Sequence, residues 1–219
     1  MLAGGVAPAF SVKRTVGKAE IIEACEAATE LHKGMVIRGR TIREETVPPV
    51  IYGLLGDSHD WKSPGSTPEQ NVIRSVGKYD DAHLRTPREA LDLLCIADLD
   101  CWSRSRMGAA SIQVAQGDPP QWVKAPESVV SLMSRRTSED EPGDLLSPLT
   151  IFITTLWQKL ALNDPTLQPI ADGLRVTYKA DAGEAWQRTW PADEVLSEAT
   201  RRRIAQGVLL GNDWQNIYY

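Results

Sequence analysis

Thr86-Pro87-Arg88-Glu89-Ala90-Leu91-Asp92-Leu93-Leu94-Cys95-Ile96, running on to Ser105, is the stretch on which the fold turns. Threonine before proline, with glutamate three residues beyond the threonine, is the pattern of a helix start. The hydroxyl caps a backbone N–H, proline gives up a donor the first turn cannot use, and the carboxylate reaches back. The pattern predicts a helix to about Ser105 that buries Ala90, Leu94, Ala97 and Cys101, with Leu93 and Ile96 beside them. Thr67-Pro68-Glu69-Gln70 repeats the same chemistry upstream and predicts a second helix.

Working outward, Pro8 to Arg14 reads as a strand. Lys18 to Lys33 reads as a helix with Ile21, Ile22, Cys25, Ala28 and Leu31 at three- and four-residue steps, stopped by Gly34. Val50 to Leu55 is an apolar run whose periodicity fits a strand or a helix end, and 56–66 reads as loop. Ile112 to Lys124 reads as a hairpin, and Pro126 opens a helix to about Ser134. The polar, acidic stretch 135–147 reads as an exposed loop. Ser147-Pro148 caps a very apolar helix through Leu162. Leu174–Lys179 and Ala185–Trp190 flank Asp181-Ala182-Gly183 as a hairpin. Ala192 to Gln206 reads as a last helix and Val208 to Leu210 as a last strand. The fold class expected is α+β: short β-hairpins packed with several amphipathic helices in one compact domain spanning 1–219.

The 219 residues are 42% apolar and 24% charged, an ordinary globular balance, and carry a net charge of −5. An acidic chain is poorly suited to sequence-specific nucleic-acid binding. No apolar run is long enough to span a bilayer, and the first residues lack a signal-peptide pattern. His32, His59 and His83 are scattered, and Cys25, Cys95 and Cys101 form no Cys-x-x-Cys. These residues predict no metal site and no cofactor. They predict buried, free thiols in a reducing, intracellular compartment.

Basic residues gather at Lys13, Arg14 and Lys18, at Arg38, Arg40 and Arg43, and at Arg201, Arg202 and Arg203. If they converge on folding, they make a face for an anionic membrane surface or a nucleoprotein. Seven tryptophans and five tyrosines suit an interface between copies, and a homo-oligomer is expected. Pro48, Pro49 and Tyr52 come near a proline-rich partner peptide with one residue too many. Gly56-Asp57-Ser58, Asp80-x-x-His83 and Gly211-Asn212-Asp213 contain the blocks of a GDS-type serine esterase, in the wrong order.

Phe10-Ser11-Val12-Lys13, the helix ending near His32, Gly34-Met35, and Val50 to Gly56 resemble the front of a rhabdovirus matrix protein. Gly173 to Tyr178, a turn, and Trp186 to Trp190 before a helix resemble its back. The resemblance implies a non-enzymatic α+β protein that self-associates and bridges a nucleoprotein to a membrane during budding. A structural subunit or adaptor of a larger complex, phage or host, is the alternative reading. An esterase using Ser58 is the second alternative.

Overall fold

A computed structural model describes residues 7–109, 127–138, 147–176 and 180–206. The strands are β1 (Pro8–Val16), β2 (Ile51–His59), β3 (Leu93–Ile96), β4 (Asp100–Ala109), β5 (Ser128–Ser138) and β6 (Ala180–Pro191). The helices are α1 (Lys18–Lys33), α2 (Ile42–Thr46), α3 (Pro68–His83), α4 (Pro148–Asn163), α5 (Gln168–Val176), α6 (Ala192–Val195) and α7 (Glu198–Ala205).

All six strands join one sheet in chain order. β1, β2 and β3 run parallel, and β3 through β6 run antiparallel. Parallel neighbours need crossovers; α1 and α2 lie in the first and α3 in the second. The fold is α+β as expected, but it is a single wide mixed sheet rather than short separate hairpins.

Helices cover both faces. Ile21, Ala24, Cys25 and Ala28 of α1 and Val72, Ile73, Val76 and Tyr79 of α3 pack on Leu54, Leu94, Ile96 and Trp102. On the other face Ile151 and Phe152 of α4 meet Ile51, Leu93, Cys95 and Cys101. Phe10 of β1 meets Phe152 edge-on at 5.3 Å between ring centroids. Burial of each such side chain contributes about 1.5–3 kcal/mol before the entropy of ordering it is subtracted.

The expected helix at 86–105 is instead one 3₁₀ turn, Pro87–Glu89, followed by β3 and β4. Thr86 makes no side-chain cap, and Glu89 Oε2 accepts from Arg85 N at 2.9 Å. The physical reason is two-sided burial. Leu94 and Ile96 face α1 and α3 while Leu93 and Cys95 face α4. A strand buried on both sides shows no polar alternation, so a local helix signal won on sequence alone.

The same error recurs elsewhere. Ser128–Ser138 is strand, not a helix opened by Pro126, and it pairs with β4 on one edge and β6 on the other. The loop expected at 135–147 therefore begins later, because 135–138 belong to β5; 139–146 lie outside the described residues. Gly56 to His59 are strand, paired with β1. Leu174 to Val176 end a helix rather than a hairpin arm, and Asp181-Ala182 lie within β6. The last helix breaks at Leu196-Ser197, because the Ser197 side chain accepts from Thr200 N and starts α7 afresh. The hairpin at 112–124 and the strand at 208–210 lie outside the described residues. Lys18–Lys33, with Gly34 at its C-cap, and the Ser147-capped helix form as expected.

Candidate functional site

The β3–β4 hairpin carries an unusual load of buried charge. Arg104 Nη1 donates to Asp80 Oδ2 at 2.6 Å, and Arg106 Nη1 donates to Asp92 Oδ1 at 2.6 Å. All four side chains are buried. Arg106 is fully engaged, since Nε donates to Pro87 O and Nη2 to Ala90 O. Asp92 Oδ2 accepts from Tyr52 N at 3.0 Å and lies 3.7 Å from His32 Nε2, which donates to Val50 O. Burial would raise the Asp92 pKa, but Arg106, His32 and Lys159 outweigh it and hold the carboxyl below its usual value. Burial lowers the His32 pKa, and the Asp92 carboxylate beside it opposes that shift.

Above this network lies a cavity of about 80 Å³, between Arg43 of α2, the start of β2, Asp92, Arg104 to Arg106 of β4, and the end of α4 at Lys159 and Asn163. A liquid water occupies about 30 Å³, so the space suits one small polar group and not a ring system. Two cations, Arg43 and Lys159, face it together with the Asp92 carboxylate that Arg106 holds. Lys159 Nζ donates to the Arg104 carbonyl at 2.6 Å, and Arg43 Nη2 donates to Asn163 Oδ1 at 2.6 Å. Among the described residues, neither makes an ion pair. Burial, opposed by Asp92 and reinforced by Arg106, Arg136 and Arg43, lowers the Lys159 pKa to about 7. Burial and Arg106 likewise lower that of Arg43.

Arg43 and Lys159 place two positive charges at one cavity. Asn163 Oδ1 accepts from Arg43, and Asn163 and Ser105 both line the cavity. Among the described residues, no three His, Cys, Asp or Glu side chains gather to hold a metal ion.

No family model matches the chain, and no curated protein matches it. Solved structures do. The NucC of E. coli MS115-1 matches in its apo form at 17% identity, over 70% of this chain and 54% of that one, with a TM-score of 0.37. Its cAAA-bound form matches at 14% identity, over 72% and 52%, with a TM-score of 0.38. The cAAA-bound NucC of P. aeruginosa ATCC27853 matches at 13% identity, over 91% and 59%, with a TM-score of 0.35. The chain spans little more than half the length of these proteins. NucC is a nuclease, and nothing among these neighbours is a viral matrix protein.

The rhabdovirus resemblance, the non-enzymatic budding protein it implies, and the separate alternative of a structural subunit or adaptor are thereby corrected. The structure supplies a reason of its own for the false likeness: the paired strands expected at 174–190 are a helix end and one long strand. The esterase reading fails on geometry. Ser58 Oγ donates to Arg14 O, Asp80 is locked to Arg104, and His83 packs on Tyr79 at 4.7 Å between ring centroids. The asparagine block lies outside the described residues. Among the described residues, no helix is long and apolar enough to cross a membrane.

The basic clusters divide. Thr200 Oγ1 lies 2.9 Å from Arg40 O, and Arg203 Nη2 donates to the same carbonyl at 2.8 Å, so Arg38–Arg43 and Arg201–Arg203 are neighbours. Arg201 donates to Leu196 O and Arg202 pairs with Glu198. Lys13 pairs with Glu23, and β1 carries it beside Gly56, beyond the end of β2 that α2 leads into. Lys18 and Arg14 lie near it. Pro48 is buried, Pro49 exposed, and Tyr52 is a strand residue packed against the core.

Of the cavity residues, sequence reasoning named only Arg43. Lys159 had a signal: it is the one cation in an otherwise apolar helix. Arg104 and Arg106 follow Trp102 at strand spacing, a period hidden by reading the segment as helix.

Proposed function

We propose that the chain binds a phosphate-bearing ligand through the cavity bounded by Arg43, Lys159 and Asn163. The observation that carries this reading is the pair of cations, Arg43 and Lys159, facing one small polar space with no ion pair to a carboxylate among the described residues. An arriving phosphate supplies the missing negative charge. The Arg43 guanidinium is fixed by Asn163, which orients its remaining donors toward a planar set of oxygens. Lys159 responds to the anion. Its amine, with a pKa of about 7, is drawn into the ammonium form by an opposite charge alongside. Arg106 and Asp92 form the floor and neutralise each other, so the positive excess stays at the mouth.

Isothermal titration with inorganic phosphate, AMP, cAAA and a short DNA duplex tests the reading. Phosphate-bearing probes bind, the heat depends on the buffer's own ionisation near pH 7 because Lys159 takes up a proton, and Lys159→Met or Arg43→Met loses at least tenfold in affinity. Equal affinity in both variants and wild type would remove the cavity as the binding site.

A further inference from the structure

Cys95 and Cys101 sit directly opposite one another on the β3–β4 hairpin. The ladder places them in a particular kind of pair. Arg104 N donates to Asp92 O at 2.9 Å, and hydrogen-bonded pairs alternate along antiparallel strands. The pairs 94/102 and 96/100 are therefore hydrogen-bonded, and 95/101 is not. The outward turn of Ala97 N to Gly56 O on β2 has the same parity. Non-hydrogen-bonded partners stand with Cα atoms about 4.5 Å apart, inside the disulfide range of about 4.4–6.8 Å. Both side chains point to the α4 face, in the cluster with Ile151 and Phe152. The neighbouring Cys95 thiol is the leading influence that raises the Cys101 pKa, ahead of burial.

We propose that Cys95 and Cys101 are a cystine-forming pair that closes across the hairpin when a peroxide reaches it. One thiolate attacks a peroxide oxygen, the O–O bond breaks and hydroxide leaves, giving a sulfenic acid. The second thiolate attacks that sulfur and the second hydroxide leaves. With the two thiol protons the products are one disulfide and two waters. Full burial of both thiols keeps bulky oxidants out and makes a small neutral one the fitting class; burial and the neighbouring thiol also hold Cys101 protonated, so closure is slow. Closure replaces the contact of Cys95 Sγ with Pro148 O, at 3.5 Å, by a bond within the hairpin. That hairpin holds Asp92 on one side and Arg104 and Arg106 on the other, so the bond braces the floor of the cationic cavity.

The test needs no partner. The folded protein is incubated with hydrogen peroxide, then unfolded in N-ethylmaleimide and cut with trypsin. Cleavage after Arg88 and Arg104 releases both cysteines in one peptide, Glu89 to Arg104. The expected product is that peptide two hydrogens lighter and unalkylated, restored to double alkylation by dithiothreitol, while Cys25 is alkylated throughout. Cys25→Ser keeps the light peptide and Cys101→Ser loses it. Should Cys101→Ser fail to fold, Cys25→Ser and wild type decide alone. Double alkylation of Glu89–Arg104 after peroxide, its over-oxidation to sulfinic acid, or a link through Cys25 or a second chain overturns the proposal.

Discussion

Arg104 and Asp80 form an ion pair in which neither side chain has any access to solvent. Asp80 comes from the last turn of α3 and Arg104 from the middle of β4, so the pair fastens a crossover helix to the sheet. Arg104 also reaches Leu91 O and the Ser131 hydroxyl, and Arg188 donates to the Asp80 carbonyl. Such a pair gains little over well-packed apolar residues, but losing one member strands the other.

Asp80→Ala is therefore expected to destabilise the fold by about 3–5 kcal/mol. Urea unfolding followed by circular dichroism reads it. Asp80→Leu combined with Arg104→Met should recover much of the loss, because no charge is then left unpaired. An unchanged urea midpoint in Asp80→Ala would mean the pair does not hold α3.

Lys159 gives the protein a slope of stability against pH. Its folded pKa, about 7, lies below the ordinary lysine value of 10.5. Between those two values the unfolded chain holds a proton that the folded chain does not, so stability rises with pH. The melting temperature should climb from pH 7 toward pH 9.5, and Lys159→Met should flatten that climb. Phosphate, by favouring the ammonium form, should stabilise most at or below neutral pH. A rise of the same steepness in Lys159→Met would assign the slope to another group.

The strand at Pro8 and the helices at Lys18, Pro68 and Pro148 were legible because each carries its own period and punctuation. Ile21, Cys25 and Ala28 mark a face unaided. β3 and β5 were not legible, since what makes them strands is distant. Leu93 and Cys95 are held by α4, more than fifty residues later in the chain, and Ser128–Ser138 by partners on both edges. The cavity was hidden for the same reason. Asp92 precedes β3, Arg106 lies in β4 and Lys159 in α4, and only the fold brings them together. Arg43 was visible as a basic residue, but as a member of a surface cluster rather than a cavity wall.

Gly53 is a place where the sheet admits no side chain. It lies in β2 between β1 and β3, and a Cβ there would stand 2.8 Å from the Phe10 ring and 3.0 Å from the Leu93 carbonyl oxygen. The ring can turn only by giving up its edge contact with Phe152, and the carbonyl belongs to the sheet. Gly53→Ala should cost about 1–3 kcal/mol through overpacking. Thermal unfolding checks it, and a companion Phe10→Leu change should reduce the penalty if the ring is the main obstacle.

Glu45 of α2 anchors a short helix far along the chain. Though buried, its carboxylate accepts from Ser197 N at 2.7 Å, from Ser197 Oγ at 2.7 Å and from Thr200 Oγ1 at 2.6 Å. It thus holds the N-terminus of α7, a helix of eight residues. A helix that short is not stable in water on its own, so its order depends on such anchors. Each hydrogen bond to a charged group contributes about 1.5–3 kcal/mol. Glu45→Gln keeps the shape but turns one acceptor into a donor facing hydroxyls and an N–H. Amide exchange across Glu198–Ala205 should then speed by at least tenfold while that of β3 and β4 stays as it was. Slow, unchanged exchange in α7 would show that its packing through Ile204, rather than this carboxylate, keeps it in place.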